Sequence, residues 1–275
     1  LEIYDAEKHG SHAYIYGQDP GMAAHAYLAD ALWLNGKPGE AYREAKTAIA
    51  HARKIKHPHS LAFSLAIAAR MATRHRDARQ ARKWAGESLK LASHYGFPVW
   101  GNMSRILLAW SDSQLDGPEK GLEPLRETLA VYQANGSFNS TAWYRGLLAE
   151  IYANLSRYDD ALDLIDEAIS ESELKDHHAG AELLRIKAGI LNARGADNDQ
   201  ASARETLSLA IASAKENDGN GWRLSASLDL AKLHHENGES TEARSVLEAG
   251  LEPFSADDQG QVLNLAREFL VQVNS

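Results

Sequence analysis

Apolar residues recur along the chain with the three-to-four-residue spacing of amphipathic helices, and the predicted helices come in pairs. The clearest pair lies in residues 139–173, where a helix at 141–154 is followed by a short turn and a second apolar helix. Ala149 in the first helix, and Ala161 and Ala168 in the second, stand where two helix backbones must approach closely. One such hairpin cannot bury both of its apolar faces, so it needs similar hairpins above and below it.

Small residues recur in three registers with a period of about 40 residues. The first register lies on the first helix of each predicted hairpin: Ala29, Ala69, Ala109, Ala149, Ala188 and Ala231. The second lies near the start of the following helix: Ala41, Ala81, Gly121, Ala161, Ala203 and Ala243. The third comes seven residues later: Ala48, Ser88, Thr128, Ala168, Ala210 and Gly250. Three registers that agree over six units predict a stack of helical hairpins.

The boundaries follow from the same period. Residues 1–18 do not fit the repeat and are predicted to be an irregular lead-in, whereas residues 19–273 are predicted to form one helical-repeat domain. Helix ends are expected at Lys56, Gly96, Gly136 and Asp176. A last amphipathic helix at 257–273, with Val262, Leu265, Phe269 and Val273 on one stripe, is expected to cover the end of the stack. The hairpins are predicted at residues 20–55, 59–95, 98–135, 139–173, 177–216 and 221–254.

This spacing of small residues resembles that of the tetratricopeptide repeat. The usual repeat is about 34 residues long, whereas the unit here is about 40, so longer helices or connections are expected. The resemblance implies an all-α fold: a right-handed superhelical solenoid of about six tetratricopeptide-like hairpins with a C-terminal capping helix. An armadillo or HEAT arrangement has a similar period and remains an alternative.

Six further stretches go beyond the generic repeat. In chain order they are Gly17-Gln18-Asp19-Pro20-Gly21, Ala31-Leu32-Trp33-Leu34-Asn35-Gly36, His57-Pro58-His59-Ser60-Leu61-Ala62, Tyr95-Gly96-Phe97-Pro98-Val99-Trp100, Ala181 to Leu191 and Arg223 to Leu228. Together they resemble the C-terminal helical-repeat region of bacterial multidomain proteins that join a class III adenylate/guanylate cyclase domain to an AAA-type signalling ATPase. The resemblance implies a sensor or scaffold arm of a larger signalling protein. The segment contains no phosphate-loop motif, so it is not expected to be an enzyme, although its parent would carry cyclase or ATPase activity.

Composition narrows the class of protein. The chain has 275 residues and no cysteine, which excludes disulfides and thiolate metal sites and is compatible with a cytoplasmic protein. No run of eighteen apolar residues occurs, so neither a membrane span nor a signal peptide is expected. The chain begins at Leu1 within what resembles mid-sequence, which suggests a segment of a larger protein.

Charge is unevenly distributed within a net charge of −9. Residues 37–90 carry 13 Lys and Arg against 4 Asp and Glu, whereas residues 112–173 carry 4 against 13. The basic stretch at residues 37–90 has two interpretations. It either faces an acidic partner, nucleic acid or another part of the parent protein, or it forms the solvated outer faces of helices. Because no strip of interleaved aromatic and basic residues is evident, nucleic acid is not an expected partner.

Candidate binding residues follow from the geometry of tetratricopeptide-type stacks, in which the first helix of each pair lines a concave groove. Large aromatic rings flanked by charges suit the capture of a peptide, a helix or a neighbouring domain of the same chain. The alternative for the tryptophans is that they are core residues at junctions between hairpins. The groove candidates are Asp30, Trp33, Arg70, Arg74, Trp110, Trp143, Glu150, Arg185, Lys232 and His235.

Catalytic and metal chemistry find little support in the sequence. Neighbouring histidines occur as His57-x-His59, His177-His178 and His234-His235-Glu236, but adjacent side chains on a helix point about 100° apart and do not easily share one ion. His57 and His59 flank a proline and are expected to be cap or loop residues. No catalytic residue, cofactor or metal is predicted. The leading hypothesis is therefore a non-catalytic interaction scaffold, with a small-molecule sensor near Trp110, Trp143 and Arg185 as the alternative and an enzyme of unfamiliar type as a third.

Overall fold

Every element is helical in the computed structural model, which describes residues 4–9, 11–134, 140–175 and 179–273. None of the described helices is both long and apolar enough to cross a membrane. The predicted helix ends at Gly136 and Asp176 and the pair His177–His178 lie outside the described residues. The helices are α1 (Ala6–His9), α2 (His12–Tyr16), α3 (Pro20–Leu34), α4 (Pro38–Ile55), α5 (Pro58–Arg74), α6 (Ala78–Tyr95), α7 (Pro98–Leu115), α8 (Pro118–Ala134), α9 (Thr141–Asn154), α10 (Tyr158–Lys175), α11 (Gly180–Arg194), α12 (Asp199–Glu216), α13 (Asn220–Glu236), α14 (Ser240–Leu251) and α15 (Gln261–Val273).

Helices α3 to α14 form six successive pairs, and local sequence explains where they start and stop. Five of them begin with a proline, whose missing N–H costs nothing in the first turn: Pro20, Pro38, Pro58, Pro98 and Pro118. Glycine ends others in the left-handed conformation, as Gly96 (φ +74°) does after α6 and Gly195 (φ +64°) after α11. The all-α fold class is confirmed.

The small residues of the three registers lie at the seams between helices. Ala69 and Ala149 are fully buried and Ala109 is 3% exposed. Gly121 shows how tight a seam is, because an added Cβ would lie 2.3 Å from the carbonyl oxygen of Ala109 and 2.6 Å from the Cβ of Ser113. The spacing that predicted the hairpins is therefore the spacing at which backbones touch.

Two compact units divide the described helices. The first comprises Leu1–Trp33 and Pro38–Ser137, and the second comprises Leu34–Lys37 and Phe138–Ser275. In the first unit α5 packs against α4, α6 and α7, and α7 packs against α8. In the second unit α11 packs against α9, α10, α12 and α13. Each unit thus buries the faces of its own hairpins.

Two apolar clusters fill the later part of the second unit. One lies between α11, α12 and α13 and includes Leu191, Leu207 and Leu230. The other joins α13 and α14 to α15 through Leu228, Leu247, Leu263 and Ala266. The terminal helix therefore packs on the last hairpin, but it begins at Gln261 and not at the predicted residue 257.

The predicted apolar stripe of α15 was wrong at one position. Leu265 is 46% exposed, whereas Leu263 and Ala266 are fully buried and Phe269 packs beside them. The buried stripe therefore runs through residues 263 and 266, which follow one another by one helical turn, and Leu265 points away from it.

The lead-in is more ordered than the sequence predicted, since it contains the short helices α1 and α2. Tyr4 anchors it: its hydroxyl donates a hydrogen bond to Asp19 Oδ2 at 2.7 Å and lies 3.0 Å from His51 Nε2. Its ring covers Gly21, where an added Cβ would lie 2.6 Å from the ring. Asp19 also caps α3, because its Oδ1 accepts the N–H of Met22 at 2.7 Å.

Candidate functional site

Three first helices of the second unit, α9, α11 and α13, line two adjoining clefts, which we call together the α9–α11–α13 cleft. The larger part has a volume of about 240 Å³ and lies between α11 and α13. The smaller part has a volume of about 190 Å³ and lies between α9 and α11. Both are lined by Arg185 and Gly189, so the two parts meet on α11. The polar and charged residues of the lining are Glu150, Asn154, Arg185, Asn192, Asp229, Lys232 and Glu236.

Arg185 joins two of these helices. Its Nε and Nη2 donate to the two carboxylate oxygens of Glu182 at 2.7 and 2.8 Å, and its Nη1 donates to Asp229 Oδ2 at 2.6 Å. Glu182 is only 3% exposed. Burial disfavours the charged guanidinium, but Glu182 and Asp229 outweigh it and hold the pKa of Arg185 well above its ordinary value. This triad fixes α13 against α11 and forms one wall of the cleft.

Gly189 and Lys232 leave the middle of the cleft accessible. A Cβ added at Gly189 would meet no atom within 4 Å, so this surface of α11 is open. Lys232 lies one helical turn from Asp229 on α13 and is exposed. Its ammonium group has no ion-pair partner in the part of the chain that the structure describes. A ligand can thus approach the α11 backbone closely and meet a positive charge beside it.

The lining of the cleft carries two side-chain amides that can hydrogen-bond a peptide. Asn154 presents an exposed side-chain amide in the smaller part and Asn192 presents one in the larger part, and an amide can both donate to and accept from a peptide group. Each part is smaller than the roughly 300–1,000 Å³ of an ordinary small-molecule pocket. Within the described ranges no three His, Asp or Glu side chains are grouped so that they could hold a metal ion.

In the first unit, four predicted groove residues come together. Both carboxylate oxygens of Asp30 accept from arginines: Oδ2 from Arg70 Nη2, and Oδ1 from Arg74 Nη1 at 2.9 Å. The guanidinium of Arg74 also lies 5.4 Å from the centre of the Trp33 ring. These contacts tie α5 to α3, so Arg70 and Arg74 are held by protein groups in the same way as Arg185.

The three predicted groove tryptophans are core residues. Trp33, Trp110 and Trp143 are only 4%, 1% and 3% exposed, so their rings offer a ligand almost no surface. The guanidinium of Arg76 lies over the Trp110 ring, 5.4 Å from its centre. Of the two interpretations of these residues, core packing is the one that the structure supports, because a large apolar ring gains more from burial than from exposure.

His235 is a predicted groove residue near the end of α13. Its ring packs edge-on against Phe269 of α15 at 5.6 Å between centres, and it is not among the residues that line the cleft. Glu150, Arg185 and Lys232 do reach the cleft, whereas Asn154 and Asp229 lie in it without having been predicted. A signal for Asp229 was present: Arg185 and Asp229 are 44 residues apart, the same separation as Asp30 and Arg74. Opposite charges about one repeat apart pair between successive first helices.

Two of the histidine groups have structural roles. His57 caps α5, because its Nδ1 accepts the N–H of Ser60 at 3.3 Å and lies 2.8 Å from the Ser60 hydroxyl. The predicted cap is confirmed for His57. The prediction was wrong for His59, which lies in the first turn of α5, where its Nε2 accepts a hydrogen bond from Trp100 Nε1 at 2.9 Å. His234 Nδ1 lies 2.5 Å from Glu239 Oε2, which ties the end of α13 to the turn before α14.

Comparison with known sequences finds one curated relative at low identity. No protein-family model matches the chain. An uncharacterized protein of Rhizobium meliloti (strain 1021) is 24% identical over 207 residues, which are 74% of this chain and 20% of that protein. The chain thus spans about a fifth of the length of this relative.

Comparison with solved structures identifies the fold. The apo form of RapI superposes with a TM-score of 0.62 at 12% identity, over 84% of this chain and 82% of that one. A Rap protein complexed with competence and sporulation factor gives 0.62 at 14% identity, over 91% and 73%. NprR in complex with its cognate peptide NprX gives 0.65 at 13% identity, over 92% and 72%. With the helical pairs described above, these superpositions establish that the chain has a tetratricopeptide-like fold of stacked helical hairpins.

Proposed function

We propose that this chain is a non-catalytic regulatory scaffold that binds a peptide segment in the α9–α11–α13 cleft. The segment comes from a partner protein or from a neighbouring domain of the same parent chain. It lies across the three first helices, with its backbone against Gly189 and hydrogen bonds to the amides of Asn154 and Asn192.

The two-part shape of the cleft is the observation that carries this proposal. Two clefts of about 190 and 240 Å³ that share Arg185 and Gly189 form one elongated site over three helices. An elongated site with an open floor fits an extended chain better than a compact ligand. The amides of Asn154 and Asn192 and the ammonium group of Lys232, which has no ion-pair partner among the described residues, can fix direction and register.

Two structural neighbours support the same ligand class. NprR was solved with a cognate peptide, and a Rap protein was solved with competence and sporulation factor. Their identity to this chain is 13% and 14%, so the likeness extends to the fold, and the ligand class is our inference for this chain.

Selection from a display library of random peptides on the immobilised chain, followed by calorimetry, tests the proposal. Gly189→Leu is expected to weaken the selected peptides at least about tenfold, because the new side chain fills the open floor that both parts of the cleft share. Gly86→Leu on α6 is the matched control, since a Cβ there also meets no atom within 4 Å but lies outside the cleft. If the selected peptides bind the two variants with equal affinity, they do not bind in the cleft and the proposal is contradicted.

We further propose that the chain is the regulatory segment of a longer signalling protein with a cyclase or ATPase domain. The resemblance of its ordered motifs to the helical-repeat region of such proteins supports this, and so does the length of the Rhizobium relative, of which the chain matches 20%. Sequencing the complete parent gene tests it: a phosphate loop and cyclase metal-binding aspartates are expected, and their absence would contradict the assignment.

The small-molecule sensor is the alternative function, with its ligand in the same cleft. Of the three residues expected near that ligand, Arg185 lines the cleft, whereas Trp110 and Trp143 are buried. The sensor hypothesis predicts that a metabolite raises the melting temperature of the wild type, because a ligand bound only by the folded state stabilises it. Gly189→Leu would abolish such a shift and Gly86→Leu would retain it. Stabilisation by a metabolite without any selected peptide would favour the sensor over the scaffold.

A further inference from the structure

The second helices of the first two hairpins present a continuous basic face. Seven exposed cations lie on or next to α4 and α6: Arg43, Lys46, Lys54, Lys56, Arg79, Lys83 and Lys90. None of them forms an ion pair with a carboxylate in the described ranges. Such a surplus is unusual in a chain whose net charge is −9.

Helical geometry places these cations in two parallel rows. With about 100° between successive residues, Arg79, Lys83 and Lys90 fall within about 40° of one another on α6. Arg43 and Lys54 coincide within about 20° on α4, and each row extends over about 16 Å. The side chains of Ala41, Ala45 and Ala48 fill the opposite, buried side of α4.

Direct contacts hold α4 and α6 side by side, so the two rows belong to one surface. The rings of Tyr42 and Trp84 are 5.5 Å apart, and Arg53 Nη2 donates to Glu87 Oε1 at 2.8 Å. The Nζ atom of Lys46 lies 5.1 Å from the centre of the Tyr42 ring, so a cation–π contact holds this ammonium group beside the ring. We call this surface the α4/α6 basic face.

The complementary surface is present on the same chain. Helix α10 contains seven carboxylates and a single lysine, and Asp163, Glu167 and Glu173 are exposed without an ion-pair partner among the described residues. Asp159, Asp163, Asp166 and Glu173 fall within about 80° of one another, over about 21 Å of helix. Within this row Asp166 pairs with Lys187 at 2.7 Å and Asp159 lies 3.8 Å from Arg194, whereas Asp163 and Glu173 are the members without an ion-pair partner among the described residues. This row is somewhat longer than the cationic rows, so an α10 helix can lie along the α4/α6 basic face.

We propose that the α4/α6 basic face binds the acidic α10 helix of a second copy of this chain, so that the protein associates head to tail. The contact is heterologous, because the two copies contribute different surfaces. It is governed by exposed charges, so it is weak and screened by salt. The same helices lie outside the α9–α11–α13 cleft, so this association does not depend on the peptide-binding function.

Sedimentation velocity over a range of protein concentrations tests the proposal. At about 0.05 M salt the average mass is expected to rise with concentration, and at about 0.5 M salt the association is expected to weaken about tenfold or more. Lys83→Glu with Lys90→Glu, and separately Asp163→Lys with Glu167→Lys, are each expected to abolish it. Mixing these two double variants is expected to restore association, because each retains one native face and the reversed faces match each other.

The control is Lys120→Glu with Lys215→Glu, which makes the same change in net charge at exposed positions on α8 and α12. It should leave the association intact. A wild-type chain that stays monomeric at low salt, or an association that survives the Lys83 and Lys90 changes, would overturn the proposal. So would binding of duplex DNA or anionic vesicles to this face without self-association, because the face would then serve phosphate groups instead of α10.

Discussion

Arg185 and Asp229, 44 residues apart in the sequence, meet at 2.6 Å between Nη1 and Oδ2 across α11 and α13. The same guanidinium holds both oxygens of the nearly buried Glu182. This pairing means that the residue predicted to contact a ligand directly also fixes the wall of the cleft. Its removal is therefore expected to lower stability as well as to weaken the proposed peptide binding.

Arg185→Met is expected to lower the free energy of unfolding by about 3 kcal/mol, because it leaves the Glu182 carboxylate buried without its partner. Urea denaturation followed by circular dichroism measures this change. Adding Glu182→Gln to Arg185→Met should recover part of the loss, since the buried charge is removed. Arg244→Met is the control: its pair with Glu248 is half exposed on both sides, so the change should stay within about 0.5 kcal/mol.

Gly121→Ala is expected to destabilise the protein, because the added Cβ would lie 2.3 Å from a backbone oxygen of α7. The two helices would have to separate, at a cost of about 1–3 kcal/mol. Gly86→Ala makes the same chemical change within a helix where nothing lies within 4 Å. There we expect a gain of about 0.5–1 kcal/mol, since alanine favours the helix more than glycine does. The melting temperatures of both variants measure these changes. If they shift in the same direction, the close contact of Gly121 with α7 would be contradicted.

His75 should make stability depend on pH. It is 6% exposed, its Nε2 has no hydrogen-bond partner in the described chain, and burial lowers its pKa to about 4. Above about pH 6.5, where histidine is neutral in both states, it carries no penalty. As pH falls from about 6.5 to 4 the unfolded chain takes up a proton that the folded chain does not, so up to about 3 kcal/mol of stability is lost.

His75→Gln cannot be protonated and should flatten this part of the pH profile. His94→Gln, at an exposed position on α6, should leave the profile unchanged. Urea denaturation between about pH 4 and 7 is the measurement. An equal acid response in the wild type and in His75→Gln would mean that other groups dominate it.

Trp110→Ala is expected to cost about 3–5 kcal/mol, because it removes a ring that is only 1% exposed and leaves a cavity. Trp110→Phe keeps most of the apolar volume and should cost less. Since the ring lies in the core, peptides selected on the wild type should bind Trp110→Phe with unchanged affinity. Loss of peptide binding in a folded Trp110→Phe chain would indicate that Trp110 contributes to the binding surface.

Sequence reasoning located the hairpins because close packing constrains every repeat in the same way. Ala29, Ala69 and Ala149 are fully buried, as their register required. The second rule was that the residue directly after each small residue of a first helix faces the groove. Its outcome differs among the equivalent positions Asp30, Trp110, Gly189 and Lys232. Gly189 and Lys232 line the cleft, Asp30 is held by two arginines, and Trp110 turns into the core. Equivalent backbone positions share a direction, but side-chain size and the neighbouring hairpin decide what the side chain contacts.

The sequence by itself determined the all-α class, the period of the hairpins and their seams, because helical periodicity and the need for small residues at backbone contacts are local properties. Only the tertiary structure decided which polar residues converge. Arg185 meets Asp229, 44 residues later, and Arg53 meets Glu87, 34 residues later. The period places such residues on successive hairpins, but it does not specify which of them form a pair. Those contacts depend on how one hairpin packs against the next, which is set by the volumes of all the side chains between them.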